Sequence, residues 1–202
     1  MEEIMRGKEG VADFNLAVVI EKEVETALYR HACKRAAAIA GVLNFLLKEN
    51  ALNPVNLSGR IADLGTGIGG GALAESLLGA KEIVGVDDLK GEMESIEFGV
   101  TQPSRTVFGR PGLTHVVQSV QQFLPAQAEE SFDLITVFKI SPRFPAPGEI
   151  CQMSYPLLKP GGQIIVDGID GTMISLEEQK RLLDENDQQP TEVVFKEENK
   201  PW

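Results

Sequence analysis

The stretch IADLGTGIGGGALAE, residues 61–75, decides how this chain is read. It opens as an apolar run interrupted by one carboxylate, Asp63, passes through a burst of glycines and ends in a helix-forming segment. Gly65, Gly67 and Gly70 satisfy G-x-G-x-x-G, a spacing that suits a tight strand-to-helix turn where a ligand touches bare backbone. That spacing alone admits dinucleotides and other adenosine ligands equally. The next carboxylate, Asp87, closes a second apolar run, IVGVD, where it can accept the ribose hydroxyls of either ligand class. Asp63 separates the two classes. It would repel a pyrophosphate, whereas it attracts a ligand that carries an ammonium group. The competing reading is that Asp63 caps a turn.

Upstream of this stretch, residues 14–50 follow a helical rhythm through Val24, Leu28, Ala32, Ile39, Val42, Leu43 and Leu46, with Gly41 placed to bend or divide the helix. NALNPVNLSG, residues 50–59, reads as a loop broken by Pro54 and Gly59. Downstream, short apolar runs alternate with helical segments. RIADLG, EIVGVD, THVVQSV, FDLITVFKI, GGQIIVDGI and TEVVFK are expected strands. GALAESLLG, DLKGEMESIEFGV, GEICQMSYPLL and SLEEQKRLLDEN are expected helices, and residues 101–113, rich in Pro and Gly, an expected loop. Continuous apolar strands alternating with helices imply an α/β fold: a doubly wound, mostly parallel sheet covered on both faces, preceded by a helical extension. Ligands of such sheets bind outside the carboxyl ends of the strands, where the strand order reverses, and the glycine burst follows the first strand.

The bulk properties narrow the function classes. A chain of 202 residues with 43% hydrophobic and 24% charged residues suits one soluble domain with a substantial core. Its net charge of −11 speaks against a phosphate-backbone partner, so nucleic acid is not expected. Cys33 and Cys151 are far apart and form no C-x-x-C, which favours reduced thiols over a disulfide or metal site, and no metal is expected. No apolar run suffices to span a membrane, and MEEIMRGKEG lacks a signal-peptide core; the expected location is cytoplasmic.

ADLGTGIGGGALAE resembles motif I of the class I S-adenosylmethionine-dependent methyltransferases, and IVGVD resembles their second motif with its ribose-binding acid. FDLITVF is similar to their fourth-strand motif and LLKPGGQIIV to the turn into the fifth strand. The resemblance spans about residues 58–168, in the family's order and at its spacing. It implies a Rossmann-like core over residues 58–202 and an N-terminal helical extension over 1–57 on the lid and acceptor side. It also implies S-adenosylmethionine as cofactor, held by Asp63, Gly65, Thr66, Gly67, Gly69, Asp87, Asp88, Leu89, Ser119, Val120 and Phe138. On this reading Asp63 faces the cationic methionine part. Ser119 stands where the family often has an acid against adenine, and Leu89 takes the apolar contact because Asp88 occupies the usual apolar position.

Methyl transfer needs alignment and, for some acceptors, a base. The acceptor of the family sits near the end of the fourth strand, here FKISPRFP, which is not the N/D-P-P-Y/F sequence of amino-group methyltransferases. Lys139, Ser141 and Arg143 are the polar groups there, and Asp167 and Asp170 follow the fifth strand. Lys139 is the candidate to hold an anionic acceptor, and Asp167, with Asp170, is the candidate base or metal ligand, although no full metal-ligand set is recognisable; the competing reading of Lys139 is a solvated strand end. Of the two histidines, His115 reads as structural, while His31, with Tyr29, is either an acceptor contact or ordinary helix surface. The expected activity is methyl transfer to a small molecule, with a protein side chain as the next candidate acceptor. The rivals are a non-catalytic S-adenosylmethionine-binding module and a nicotinamide-dependent oxidoreductase, the latter disfavoured by Asp63 and LLKPGG.

Overall fold

The apolar runs pair side by side because the central ones are buried on both faces and need a full complement of backbone partners. The computed structural model describes residues 3–88, 103–138, 145, 147–166 and 192–195. Strands β1 (Arg60–Leu64), β2 (Glu82–Asp87), β3 (Leu113–Val117), β4 (Phe132–Val137) and β5 (Leu158–Val166) are parallel, and β6 (Glu192–Phe195) is antiparallel to β5. The order is β3-β2-β1-β4-β5-β6. The chain winds outward from β1 to β3 and then returns to β4 on the other side of β1, so the order reverses between β1 and β4. The carboxyl ends of those strands therefore flank the crevice where ligands of open α/β sheets bind.

Helices cover both faces: α1 (Glu3–Lys48), α2 (Pro54–Leu57), α3 (Gly70–Leu77), α4 (Arg105–Phe108), α5 (Val120–Phe123) and α6 (Pro147–Ser154). On one face Leu28, Ala32, Ala36, Leu43 and Leu46 of α1 share a core with Ala72 and Leu73 of α3 and Ile61, Ile83 and Leu134 of the sheet. On the other, Val120 and Phe123 of α5 and Ile150 of α6 pack on Leu64, Val86, Ile135 and Ile164. From Leu28 onward α1 is thus built into the same apolar core as the sheet.

Four features differ from the sequence expectations. The first helix begins before residue 14 and runs unbroken through Gly41, where an added Cβ would meet nothing within 4 Å. Open surface tolerates glycine there at a propensity cost of about 1 kcal/mol. The expected loop at 50–59 contains α2, because Asn53 accepts the Val55 N–H at 3.0 Å and Pro54 follows at the first turn. The expected loop at 101–113 contains α4, whose N-cap Ser104 accepts the Val107 N–H at 3.3 Å. THVVQSV does not stay extended: β3 ends at Val117, and Ser119 is the N-cap of α5. The helices expected at 88–100 and 175–186 lie, past Asp88, outside the described residues.

Candidate functional site

The turn from β1 to α3 is possible only for a glycine-rich sequence. Gly65, Gly67 and Gly69 have φ of 75°, 53° and 98°, the left-handed region that side-chain-bearing residues avoid. The loop is pinned at the end of β2. The Gly65 and Thr66 N–H groups donate to the Val86 carbonyl at 2.8 and 3.2 Å, and the Gly67 N–H donates to Asp87 Oδ2 at 2.8 Å. Asp87 is buried at the β2 end, its carboxylate fixed against the loop. The Val107 and Phe108 side chains wall the loop; an added Cβ on Gly69 would fall 2.9 and 2.8 Å from them.

Asp63 is only 2% exposed. Its Oδ2 accepts the Thr66 hydroxyl at 2.6 Å, and its carboxyl accepts the Ala72 N–H, so it also caps the first turn of α3. Burial pushes its pKa up to about 6; the Thr66 and Ala72 hydrogen bonds and the Arg35 guanidinium oppose this, and neighbouring Asp87 adds to it. The structure thus combines the capping reading of Asp63 with a place at the loop. Arg35 approaches from α1, its Cβ lying 2.6 Å from where a Gly70 Cβ would stand. Sequence reasoning passed over Arg35, because only packing of α1 on α3 brings it to a loop thirty-odd residues away. It also passed over Glu75, which is fully buried on α3; an acid three residues after buried Ala72, on an otherwise apolar helix face, was the available signal.

Ser119 is half-buried at the start of α5, its N–H donating to Gln122 Oε1 at 3.4 Å, and Val120 is buried. Asp88 is exposed just beyond Asp87, and Phe138 is half-buried against the α1-side core. Leu89, Lys139, Ser141, Arg143, Asp167 and Asp170 lie outside the described residues. His31 is exposed, while the Tyr29 hydroxyl accepts from Arg110 Nη2 at 3.2 Å. His115 is half-buried 5.0 Å from the Phe108 ring, and burial lowers its pKa. Among the described residues no group of three or more His, Cys, Asp or Glu is placed to hold a metal ion. Likewise none of their helices is long and apolar enough to cross a membrane.

A clasp ties α1 to the loop wall. Glu25 accepts the Ser104 hydroxyl at 2.8 Å and the Arg105 and Thr106 N–H groups at 3.1 and 3.0 Å, while the Ser104 N–H donates to the Ile68 carbonyl at 3.2 Å. Burial works to raise the Glu25 pKa, but the hydrogen bonds from Thr106, Ser104 and Arg105 outweigh it and hold the carboxyl low. Glu25→Ala removes this cap and is expected to cost about 1 kcal/mol. Because the folded carboxyl is held below its unfolded value, its contribution is present above the unfolded pKa and is lost as pH falls through the folded one. Denaturant melts at several pH values should therefore show the deficit at pH 7 and its shrinkage as pH falls below the ordinary glutamate range. A deficit independent of pH would assign the loss to packing.

The site's donors and acceptors suit an adenosine ligand with a cationic tail. Two buried carboxyls, Asp63 on β1 and Asp87 at the end of neighbouring β2, stand beside a turn of left-handed glycines. A doubly wound sheet with this turn at its switch point belongs to the Rossmann-like class of adenosyl-ligand folds. The family model described as a methyltransferase domain matches residues 63–166, just over half of the chain. The chain therefore belongs to that family, the class I S-adenosylmethionine-dependent methyltransferases, whose cofactor is S-adenosylmethionine. It is 33% identical over 137 residues to the ubiquinone biosynthesis O-methyltransferase of Xanthomonas axonopodis pv. citri, covering 61% of this chain and 52% of the relative. It is 24% identical over 155 residues to the mitochondrial ubiquinone biosynthesis O-methyltransferase of Dictyostelium discoideum, covering 73% and 48% respectively. The chain spans about half the length of these curated relatives.

Proposed function

We propose that this chain binds S-adenosylmethionine at the β1–α3 turn and transfers its methyl group to a small-molecule acceptor. One observation carries the reading: buried Asp63 and Asp87 flank a turn with three left-handed glycines at the sheet's switch point. In this reading Asp87 accepts the ribose hydroxyls while keeping the Gly67 N–H as partner, and Asp63 faces the methionine ammonium. Arg35 lies on the side suited to the methionine carboxylate. Thr66, Gly65, Gly67 and Gly69 supply backbone contact, Ser119 and Leu89 are the adenine contacts, and Asp88, Val120 and Phe138 complete the cofactor site. When bound, the cofactor supplies an activated methyl whose transfer requires in-line alignment. Residues 1–57 act as the lid on the acceptor side, consistent with the Glu25 clasp. Strands β4 and β5 end in register at Val137 and Val166, so Lys139 and Asp167 follow neighbouring strand ends; Lys139 orients an anionic acceptor and Asp167 takes its proton. The names of the curated relatives support an oxygen of a small molecule as the acceptor.

A ligand panel read by thermal unfolding tests this. S-adenosylmethionine and S-adenosylhomocysteine should stabilise the chain by about 2.7 kcal/mol at roughly 100-fold excess over the dissociation constant, and NAD and NADP should not. Stabilisation by NAD without stabilisation by S-adenosylhomocysteine would overturn the assignment. Production of S-adenosylhomocysteine with hydroxylated small molecules then separates an enzyme from a binding module.

A further inference from the structure

One buried ionisable group has no part in the function just described. Glu75 sits on α3, fully buried, directly above the pair of strands that carry Asp63 and Thr136. Those two residues are register neighbours on parallel β1 and β4, so their side chains leave the same face of the sheet. Gly71, one turn before Glu75, lies so close to Asp63 that an added Cβ would be 2.6 Å from both carboxyl oxygens. Glu75 and Asp63 thus lie buried together between α3 and the sheet.

Its hydrogen bonds show which form of Glu75 fits. Glu75 Oε1 and Thr136 Oγ1 are 2.6 Å apart, Thr136 Oγ1 also lies 3.5 Å from the Ala62 carbonyl, and Oε2 has no partner among the described residues. An ionised carboxylate there would hold a full charge against a single hydroxyl, with one oxygen bare. A neutral acid needs much less: one of its oxygens accepts the Thr136 hydroxyl, and no charge is left to compensate. Two carboxyls buried together do not both ionise readily. Burial raises the Glu75 pKa well above its ordinary value, the Asp63 charge raises it further, and the Thr136 hydrogen bond opposes them. Around Asp63 the remaining ionisable groups are Asp87 from β2 and Arg35 from α1.

We propose that Glu75 is a positioning residue of the cofactor site, which holds a proton beside Asp63 and makes capture of the cationic cofactor proton-releasing. The proposal rests on the cofactor reading above. With the site empty, the pair carries one negative charge, on Asp63, and one proton, on Glu75. A cationic ligand beside Asp63 cancels that charge, and Glu75 gives up its proton to solvent more readily. At acidic pH, where Asp63 is itself protonated, the ligand also displaces the Asp63 proton to solvent.

Two measurements test this. The first is 13C NMR of the Glu75 side-chain carboxyl across the full pH range in which the chain stays folded, so that its midpoint is captured. In the free protein the signal should keep the protonated-acid position well above the pH at which an ordinary glutamate ionises. In Asp63→Asn, or on adding S-adenosylhomocysteine to the wild type, its midpoint should fall by about one unit or more, because the neighbouring charge is gone. The second is calorimetry of S-adenosylhomocysteine in buffers of different ionisation enthalpy. Wild-type affinity should fall about tenfold from pH 7 to pH 5, with close to one proton released per ligand at the acidic end. Glu75→Gln, an isostere of the neutral acid, should remove the ligand-linked proton release that wild type shows at pH 8, and persistence of that release in the variant overturns the proposal. A Glu75 signal at the ionised position below pH 6 overturns the proposal, as does a midpoint that neither Asp63→Asn nor the ligand moves. If S-adenosylhomocysteine binds at no pH, the cofactor reading fails by itself, while the Glu75 titration in free wild type and in Asp63→Asn still decides whether the pair holds a proton.

Discussion

Asp87→Ala should weaken S-adenosylhomocysteine binding by roughly 30- to 100-fold, about 2–3 kcal/mol. Two losses combine. The ligand's ribose hydroxyls lose a charged acceptor, and hydrogen bonds to charged groups are the stronger ones. The protein loses the acceptor of the Gly67 N–H, which Asp87 holds at 2.8 Å and which sits in a loop kept open by left-handed glycines. Asp87→Asn separates them, because its amide oxygen keeps the Gly67 bond while the charge is removed. Calorimetry on the three proteins should rank affinity as wild type, then Asn, then Ala. Equal affinity in all three would place the ribose elsewhere. The same substitution removes a neighbouring negative charge from Asp63, so the Asp63 pKa should fall from about 6 in both variants.

Gly71→Ala should lower stability by about 2–4 kcal/mol and abolish measurable cofactor binding. Gly71 is helical, so its backbone tolerates alanine; the obstacle is space. The new methyl would stand 2.6 Å from each Asp63 oxygen. Asp63 cannot step aside cheaply, because it is buried and held by the Thr66 hydroxyl and the Ala72 N–H. Either α3 lifts from β1 or the carboxyl turns away from its partners, and both routes deform the turn. For a chain of this size the penalty corresponds to a fall in melting temperature of roughly 5–15 °C. Gly41→Ala supplies the contrast: its methyl meets nothing within 4 Å, so helix propensity alone should raise stability by up to about 1 kcal/mol. Equal melting temperatures for the two variants would show that Asp63 is not pinned against α3.

These variants mark the border between what the residue string determines and what packing decides. The strands and their order along the chain were legible, since Ile61–Leu64, Ile83–Val86 and Leu134–Val137 are short, largely apolar runs and the glycines that follow β1 permit one kind of turn. Asp87 was legible for the same reason: it ends a run, and the end of a strand beside that turn is a defined place. Such signals are local, carried by periodicity and by backbone conformations that only certain residues adopt. Arg35, Glu25 and Glu75 carried no comparable signal. Their meaning depends on which side of α1 meets α3 and α4, and on how deeply α3 settles on β1 and β4. Even Asp63, singled out by its charge, changed character in the fold. The sequence placed a carboxylate beside the loop; only the tertiary structure decided that it is dehydrated, caps α3 and stands beside a second buried acid, because desolvation and charge coupling arise between segments that the chain brings together only on folding.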